Sequence, residues 1–270
     1  MIEARSLEKA VGERTILKHL SFTMEAGLMY GIIGPNGVGK STLLRLISGV
    51  ETPSGGSILL EGREAGEYRR KELAKWLAVL QQGGLVSVGF TVREVVTMGR
   101  FPFQNWMGEE KKDNSSLIDG ALAAMGLTEL QHRRLEQLSG GERQRAALAK
   151  VMVQEPRLLL LDEPTTYLDI GYQVQLLDTV KNWQREQGMT VVAVLHDLNL
   201  AAQYCDKLLV LSEGCVEAFG VPSAVIETDL IRRVYGAKTV VLPHPETGVP
   251  QLLLLPGQPP AELDGKGITK

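Results

Sequence analysis

The residues at 34–42, GPNGVGKST, restrict the fold more than any other stretch of this chain. They fit the pattern GxxxxGK[ST], in which glycines expose backbone N–H groups to phosphate oxygens. Gly34, Gly37 and Gly39 supply the bare backbone, with Pro35, Asn36 and Val38 between them. Lys40 adds a point charge for the β- and γ-phosphates, and the hydroxyl of Ser41, followed by Thr42, is a natural Mg²⁺ ligand. A loop of this kind works between a strand and a helix, because a helix N-terminus attracts anions. The flanks comply. Leu28–Ile33 reads as a buried strand, and Ser41–Ser48 as a helix with Leu43, Leu44 and Ile47 on one side. An α/β chain that holds a nucleotide phosphate is the first expectation.

The rest of the chain alternates in the same way. Ile2–Ala4 and Leu20–Met24 are strand-like, ETPSGGSILLEG reads as turn, strand, turn, 69–76 is helix-like and LAVLQQ at 77–82 is a short strand. From about 85 to 155 the character changes to a helical insertion, with helices predicted at Val92–Met98, Ser116–Met125, Leu127–His132 and Gly141–Glu155. The frame resumes with a buried strand in RLLLLDEP (157–164), a helix at Tyr172–Glu186, a strand at 190–196, a helix at Leu198–Tyr204 and a strand at 208–214. Alternating strands and helices predict a parallel sheet. The proline-rich tail, 237–270, is expected to be an extended appendage, disordered over its last ten residues.

Bulk properties narrow the partners. The net charge of −3 offers no basic excess for nucleic acid. Cys205 and Cys215 lie ten apart, which is no metal spacing, and two thiols in 270 residues suit a reducing compartment. MIEARSLEKA carries acids and no apolar stretch, so no signal peptide is expected there, and runs such as LLLL at 158–161 are far too short to span a membrane. A cytosolic protein is expected, with docking on a membrane component left open.

Two more stretches carry chemistry. A phosphate loop needs a carboxylate on a neighbouring strand for Mg²⁺, and Leu158–Leu161 runs into Asp162 and Glu163. Asp162 ends the strand and is placed to reach the ion through water. Glu163 points elsewhere and is placed to orient or deprotonate an attacking water. The stretch LSGGERQRAAL at 138–148 puts Ser139, a good N-cap, before Gly140 and Gly141 at the head of a helix. That bare helix start reads as a second phosphate half-site, about 100 residues from the first.

Together, GPNGVGKST, LSGGERQR and LLLLDEPT resemble the nucleotide-binding subunit of ABC transporters, over essentially the whole chain. The resemblance implies an ABC ATPase fold across 1–236: a P-loop core with a mainly parallel sheet, an N-terminal antiparallel β-subdomain and the helical insertion. It implies ATP and Mg²⁺. Gln82 matches the family's glutamine that touches Mg²⁺ and senses the permease, with Gln81 as its rival. Leu168 and Asp169 resemble the family's D-loop, with Asp169 expected among the nucleotide-binding residues, and His196 matches the histidine that contacts the γ-phosphate. The family pairs head to tail, so that Ser139–Gly141 of one copy covers the γ-phosphate held by Lys40 of the other. That would explain two half-sites in one chain. Val11 stands where the family usually carries an adenine-stacking aromatic, and an aliphatic contact buries the ring face without stacking.

With one cassette and no span, the channel is expected to be a separate permease, served by an extracytoplasmic binding protein, with this chain on the cytoplasmic side of the membrane. LAVLQQ…FTVREVVTMGRFP, HDLNLAAQYCDKLLVLSEGCVEAFG and VIETDLIRRVYG resemble the importer group for iron–siderophore, haem and cobalamin. Phe101 and Phe103, around Pro102, are the expected permease contacts. The alternative is a soluble ABC ATPase acting on ribosomes or DNA. Such proteins carry two cassettes or a long coiled coil, which this sequence lacks. A P-loop small-molecule kinase would leave LSGGE unexplained.

Overall fold

The computed structural model describes residues 1–81, 89–105, 107, 109–110, 113–166 and 168–256. The chain opens with β1 (Ile2–Val11), β2 (Arg14–Met24), β3 (Met29–Ile33), α1 (Lys40–Ile47), β4 (Gly55–Leu60), β5 (Arg63–Glu64), α2 (Arg70–Leu73) and β6 (Leu77–Leu80). The helical insertion holds α3 (Val92–Thr97), α4 (Ser115–Ala124) and α5 (Gly140–Met152). Then come β7 (Leu158–Asp162), α6 (Ile170–Gln187), β8 (Thr190–Val194), α7 (Leu198–Tyr204), β9 (Lys207–Ser212) and β10 (Cys215–Gly220). The chain closes with α8 (Pro222–Val225), α9 (Thr228–Tyr235), β11 (Thr239–Pro243) and β12 (Pro250–Leu254).

The central sheet has the order β10-β9-β3-β8-β7-β6. Every neighbouring pair is parallel except β10 with β9. A second, antiparallel sheet has the order β2-β1-β4-β5. The mainly parallel core, the N-terminal antiparallel sheet and the helical insertion are thus all present. β3 and β8 are buried throughout, as strands covered on both faces must be. Their side chains alternate between two cores. Tyr30, Ile32, Leu158, Leu160, Val192 and Val194 face α1 and the antiparallel sheet. Met29, Ile33, Leu159, Leu161, Val191 and Ala193 face α6, α7 and the insertion. Among the described residues no helix is long and apolar enough to cross a membrane.

Several elements differ from the sequence expectation; β1 runs on to Val11 rather than ending at Ala4, and β10 was not expected. β2 starts at Arg14 rather than Leu20, because an irregularity at His19 (φ +50°) leaves both Lys18 and His19 exposed between buried Leu17 and Leu20 and so breaks the apolar alternation. The helix expected at Leu127–His132 is one 3₁₀ turn, Thr128–Leu130. The carbonyls of Gln131 and Arg133 instead accept the N–H groups of Arg93 and Val92 at the start of α3, so they close no helix of their own. The tail is extended but paired: β11 and β12 form an antiparallel hairpin from Thr239↔Leu254 to Pro243↔Pro250. The last ten residues lie outside the described region.

Candidate active site

The loop after β3 turns through three glycines with positive φ, Gly34 (+149°), Gly37 (+76°) and Gly39 (+108°). At Gly34 a Cβ would stand 2.2 Å from the Leu211 carbonyl oxygen of β9, so any side chain forces the backbone there to shift. At Gly37 a Cβ would meet nothing within 4 Å, because that backbone faces an open cleft. The cleft, about 670 Å³, is lined by Ile16, Asn36, Gly37, Gly39, Lys40, Ser41, Thr42, Glu163, Thr166 and His196.

The buried Lys40 ammonium donates to the Gly34 and Pro35 carbonyls at 2.7 and 2.9 Å. Burial holds its pKa below the usual lysine value, while Glu163 and Asp162 pull the other way. The Ser41 hydroxyl donates to Asp162 Oδ1 at 2.8 Å. Burial also raises the Asp162 carboxyl, against the Ser41 hydrogen bond. Glu163 has φ +51°, uncommon for a residue with a side chain, and this turn departs from the strand direction that ends at Asp162. Its Oε1 lies 2.7 Å from His196 Nε2, and its Oε2 accepts from the Thr166 hydroxyl at 3.4 Å. His196 follows β8, which lies between β3 and β7 in the sheet. A cationic, glycine-floored cleft with a carboxylate and an imidazole at its edge can bind phosphate and handle a proton beside it.

Ser41 and Asp162 present hard oxygens side by side, which suits Mg²⁺. That ion keeps waters and substrate phosphates alongside one or two carboxylates. Among the described residues no three His, Cys, Asp or Glu side chains cluster to hold a metal alone. The residues therefore fit a magnesium ion shared with a phosphate ligand.

The remaining expected site residues fall elsewhere. The Val38 side chain packs in the core rather than the cleft. Ser139, Gly140, Gly141 and Asp169 do not line the cleft either. Ser139 caps α5 in a capping box, its hydroxyl accepting from the Glu142 N–H at 3.3 Å while Glu142 accepts from the Ser139 N–H at 2.7 Å. The Ser139 N–H, together with the Ser139 hydroxyl that also hydrogen-bonds the Glu142 carboxylate, holds the Glu142 pKa below its usual value, and Gly140 has open space where a Cβ would stand. Asp169 caps α6 through the Tyr172 N–H at 3.0 Å. Gln82 lies outside the described residues, and Gln81 is exposed just past β6. Val11 is 61% exposed at the end of β1 and away from the cleft lining. Ile16 is the apolar side chain in that lining. The sequence reading missed it and Thr166. The signal for Ile16 is an apolar residue between the exposed Arg14 and Lys18.

A family model described as ABC transporter matches residues 17–166. The ferric enterobactin transport ATP-binding protein FepC of Escherichia coli (strain K12) is 39% identical over 254 residues, 94% of each chain. The hemin import ATP-binding protein HmuV of Rhodopseudomonas palustris (strain BisB18) is 44% identical over 261 residues, 93% of this chain and 94% of that one. Among solved structures, a dimeric ATP-binding cassette in a post-hydrolysis state with ADP and phosphate matches at a TM-score of 0.71 and 26% identity. It covers 82% of this chain and 98% of that one.

Proposed function

The chain belongs to the ABC transporter family, and from that premise we propose that it is the ATP-hydrolysing subunit that powers uptake of a metal chelate through a separate membrane permease. The single observation that carries this reading is the cleft of Lys40, Ser41 and Asp162 with Glu163 and His196 at its edge. The importers of ferric enterobactin and hemin among its relatives support a chelate of the iron–siderophore, haem or cobalamin type.

In this reading the glycine backbone and Lys40 hold the β- and γ-phosphates of ATP. Ser41 and Asp162, with Gln82 by the family resemblance, would hold magnesium, which would supply charge neutralisation at the phosphate oxygens. Glu163 accepts a proton from the attacking water. His196 keeps the Glu163 carboxylate oriented and faces the γ-phosphate. Among the described residues the cleft is open on one side, and the start of α5, with open space at Gly140, suits a phosphate brought by a second copy. A head-to-tail homodimer follows, and the dimeric relative supports it. Asp169, exposed on its helix cap, is free to meet a nucleotide or a second copy. The permease, with its extracytoplasmic binding protein, places the subunit on the cytoplasmic side of the membrane. Phe101, 54% exposed, is the better candidate for the permease contact; Phe103 packs against the Arg100 guanidinium at 3.9 Å.

The test is uptake in vesicles that hold this chain and its permease, supplied with ATP inside. Accumulation of an iron–siderophore, haem or cobalamin that stops with Lys40→Ala is expected. ATP-dependent activity on ribosomes or DNA, with no accumulation of any chelate, would overturn the reading.

A further inference from the structure

The C-terminal hairpin is tied to the helix that follows His196. Asp197 caps α7, its Oδ1 accepting the N–H groups of Asn199 (2.8 Å) and Leu200 (3.0 Å). The Asn199 side chain turns to β12. Its Nδ2 donates to the Leu252 carbonyl at 3.2 Å, and its Oδ1 accepts the Leu252 N–H at 2.7 Å. One amide thus satisfies both backbone groups of one β-residue on the edge of β12 away from β11, as a further strand would. An isosteric apolar side chain could make neither bond. Around this rung Val241 and Leu252 of the hairpin join the same hydrophobic cluster as Leu198, Leu200 and Tyr204. At the hairpin tip the Thr247 hydroxyl donates to Gln203 Oε1 at 3.3 Å. The hairpin therefore grips α7 along its length, and its strongest hold is on the first turn, three residues after His196.

We propose that the β11–β12 hairpin is a positioning element for hydrolysis: through Asn199 it fixes the first turn of α7 and so holds His196 against Glu163. Asn199 is then a positioning residue. The inference rests on the reading of Glu163 and His196 given above. A displacement of about 1 Å can cost an enzyme roughly 10²-fold in rate. Losing one rung while the apolar contacts remain should cost less, about tenfold in kcat, with KM for ATP within about twofold.

The experiment is a double-mutant cycle on the full chain. Phosphate release is followed under single-turnover conditions, in wild type, Asn199→Leu, His196→Ala and the double variant. If Asn199 acts through His196, Asn199→Leu slows the wild-type background about tenfold and the His196→Ala background less than about twofold. Gln203→Ala, which frees the far end of α7, leaves kcat within about twofold. Equal losses in both backgrounds, as a merely structural role would give, overturn the proposal, and so does an unchanged kcat in Asn199→Leu. Should Asn199→Leu fail to fold, Asn199→Asp carries the same cycle, since it keeps the side-chain size and the acceptor for the Leu252 N–H. A wild-type chain without ATPase activity would instead remove the functional reading, and this inference with it.

Discussion

Gly34→Ala and Gly37→Ala are the same chemical change three residues apart, and the structure assigns them different failures. Both glycines have positive φ, so a side chain at either costs roughly 1–2 kcal/mol. At Gly37 that is the whole effect on the protein, because the new methyl meets no atom within 4 Å. At Gly34 the methyl would stand 2.2 Å from the Leu211 carbonyl oxygen. That oxygen belongs to β9, which is paired with β3 on one side and β10 on the other, so the strand cannot simply step aside. Overpacking of this kind adds roughly 1–3 kcal/mol, which brings Gly34→Ala to about 2–5 kcal/mol. At about 2–4 °C per kcal/mol for a chain near this size, Gly37→Ala should melt roughly 2–8 °C below wild type and Gly34→Ala roughly 4–20 °C below. Affinity should follow the opposite order. Gly37 lines the cleft and Gly34 does not, so the Gly37 methyl meets the ligand and the Gly34 methyl meets the protein. Thermal melts without nucleotide, and titration with a fluorescent ADP at a temperature where both variants are folded, read the two quantities separately. Wild-type affinity in Gly37→Ala would refute the assignment of this cleft to phosphate. Wild-type melting of Gly34→Ala would refute the close approach of β9.

Glu163→Gln keeps the size and the backbone of a residue held at positive φ but removes the base; phosphate release should fall about 10²-fold or more, about 2.7 kcal/mol in barrier. ATP binding should persist and an ATP-bound dimer should accumulate on gel filtration; near-normal turnover counts against the role. Asp162→Asn should abolish Mg²⁺-dependent hydrolysis yet raise the melting temperature of the nucleotide-free protein. Because burial raises the native Asp162 carboxyl, the wild type should lose stability relative to Asn as pH climbs from about 4, the ordinary Asp range, through the raised value. A melting difference that shrinks with rising pH contradicts this. Lys40→Ala and Ser139→Arg chains, each inactive alone, should trap nucleotide when mixed, since one intact site forms between them. The double variant mixed with wild type should not trap, and the reverse outcome sinks the head-to-tail dimer.

The parts of the site written as contiguous residues were legible in the sequence. GPNGVGKST and LLLLDEP are each a strand end and its loop, so the local chain alone puts Lys40, Ser41, Asp162 and Glu163 at the same edge of a parallel sheet. Ile16 was not legible, because it reaches the cleft from the separate antiparallel sheet, and only the stacking of the two sheets on α1 brings it there. Thr166 was hidden for a related reason: a polar turn residue announces no partner, and its bond to Glu163 exists only once Glu163 takes positive φ. The stretch Leu127–His132 has a helical composition, but the carbonyls of Gln131 and Arg133 are committed to the start of α3, a contact about 40 residues distant in sequence that local composition does not show. The hairpin was read as merely extended, since Pro243 and Pro250 signal turns but not that they face each other.

The order of strands has a consequence for biosynthesis. β8 is the last of the three site-bearing strands to be made, and it lies between the other two. With neighbouring strands about 4.8 Å apart, β3 and β7 are held at roughly twice that distance by a wedge that does not exist until residues 190–194 have been translated. A nascent chain that stops short of β8 has its phosphate loop and its acidic strand but no means of setting their separation. Long-range parallel pairing of this kind is slow, because chain entropy is lost before any contact compensates. A nucleotide that needs the phosphate loop, the acidic strand and His196 together therefore stabilises by mass action chains that have completed β8 more than shorter fragments.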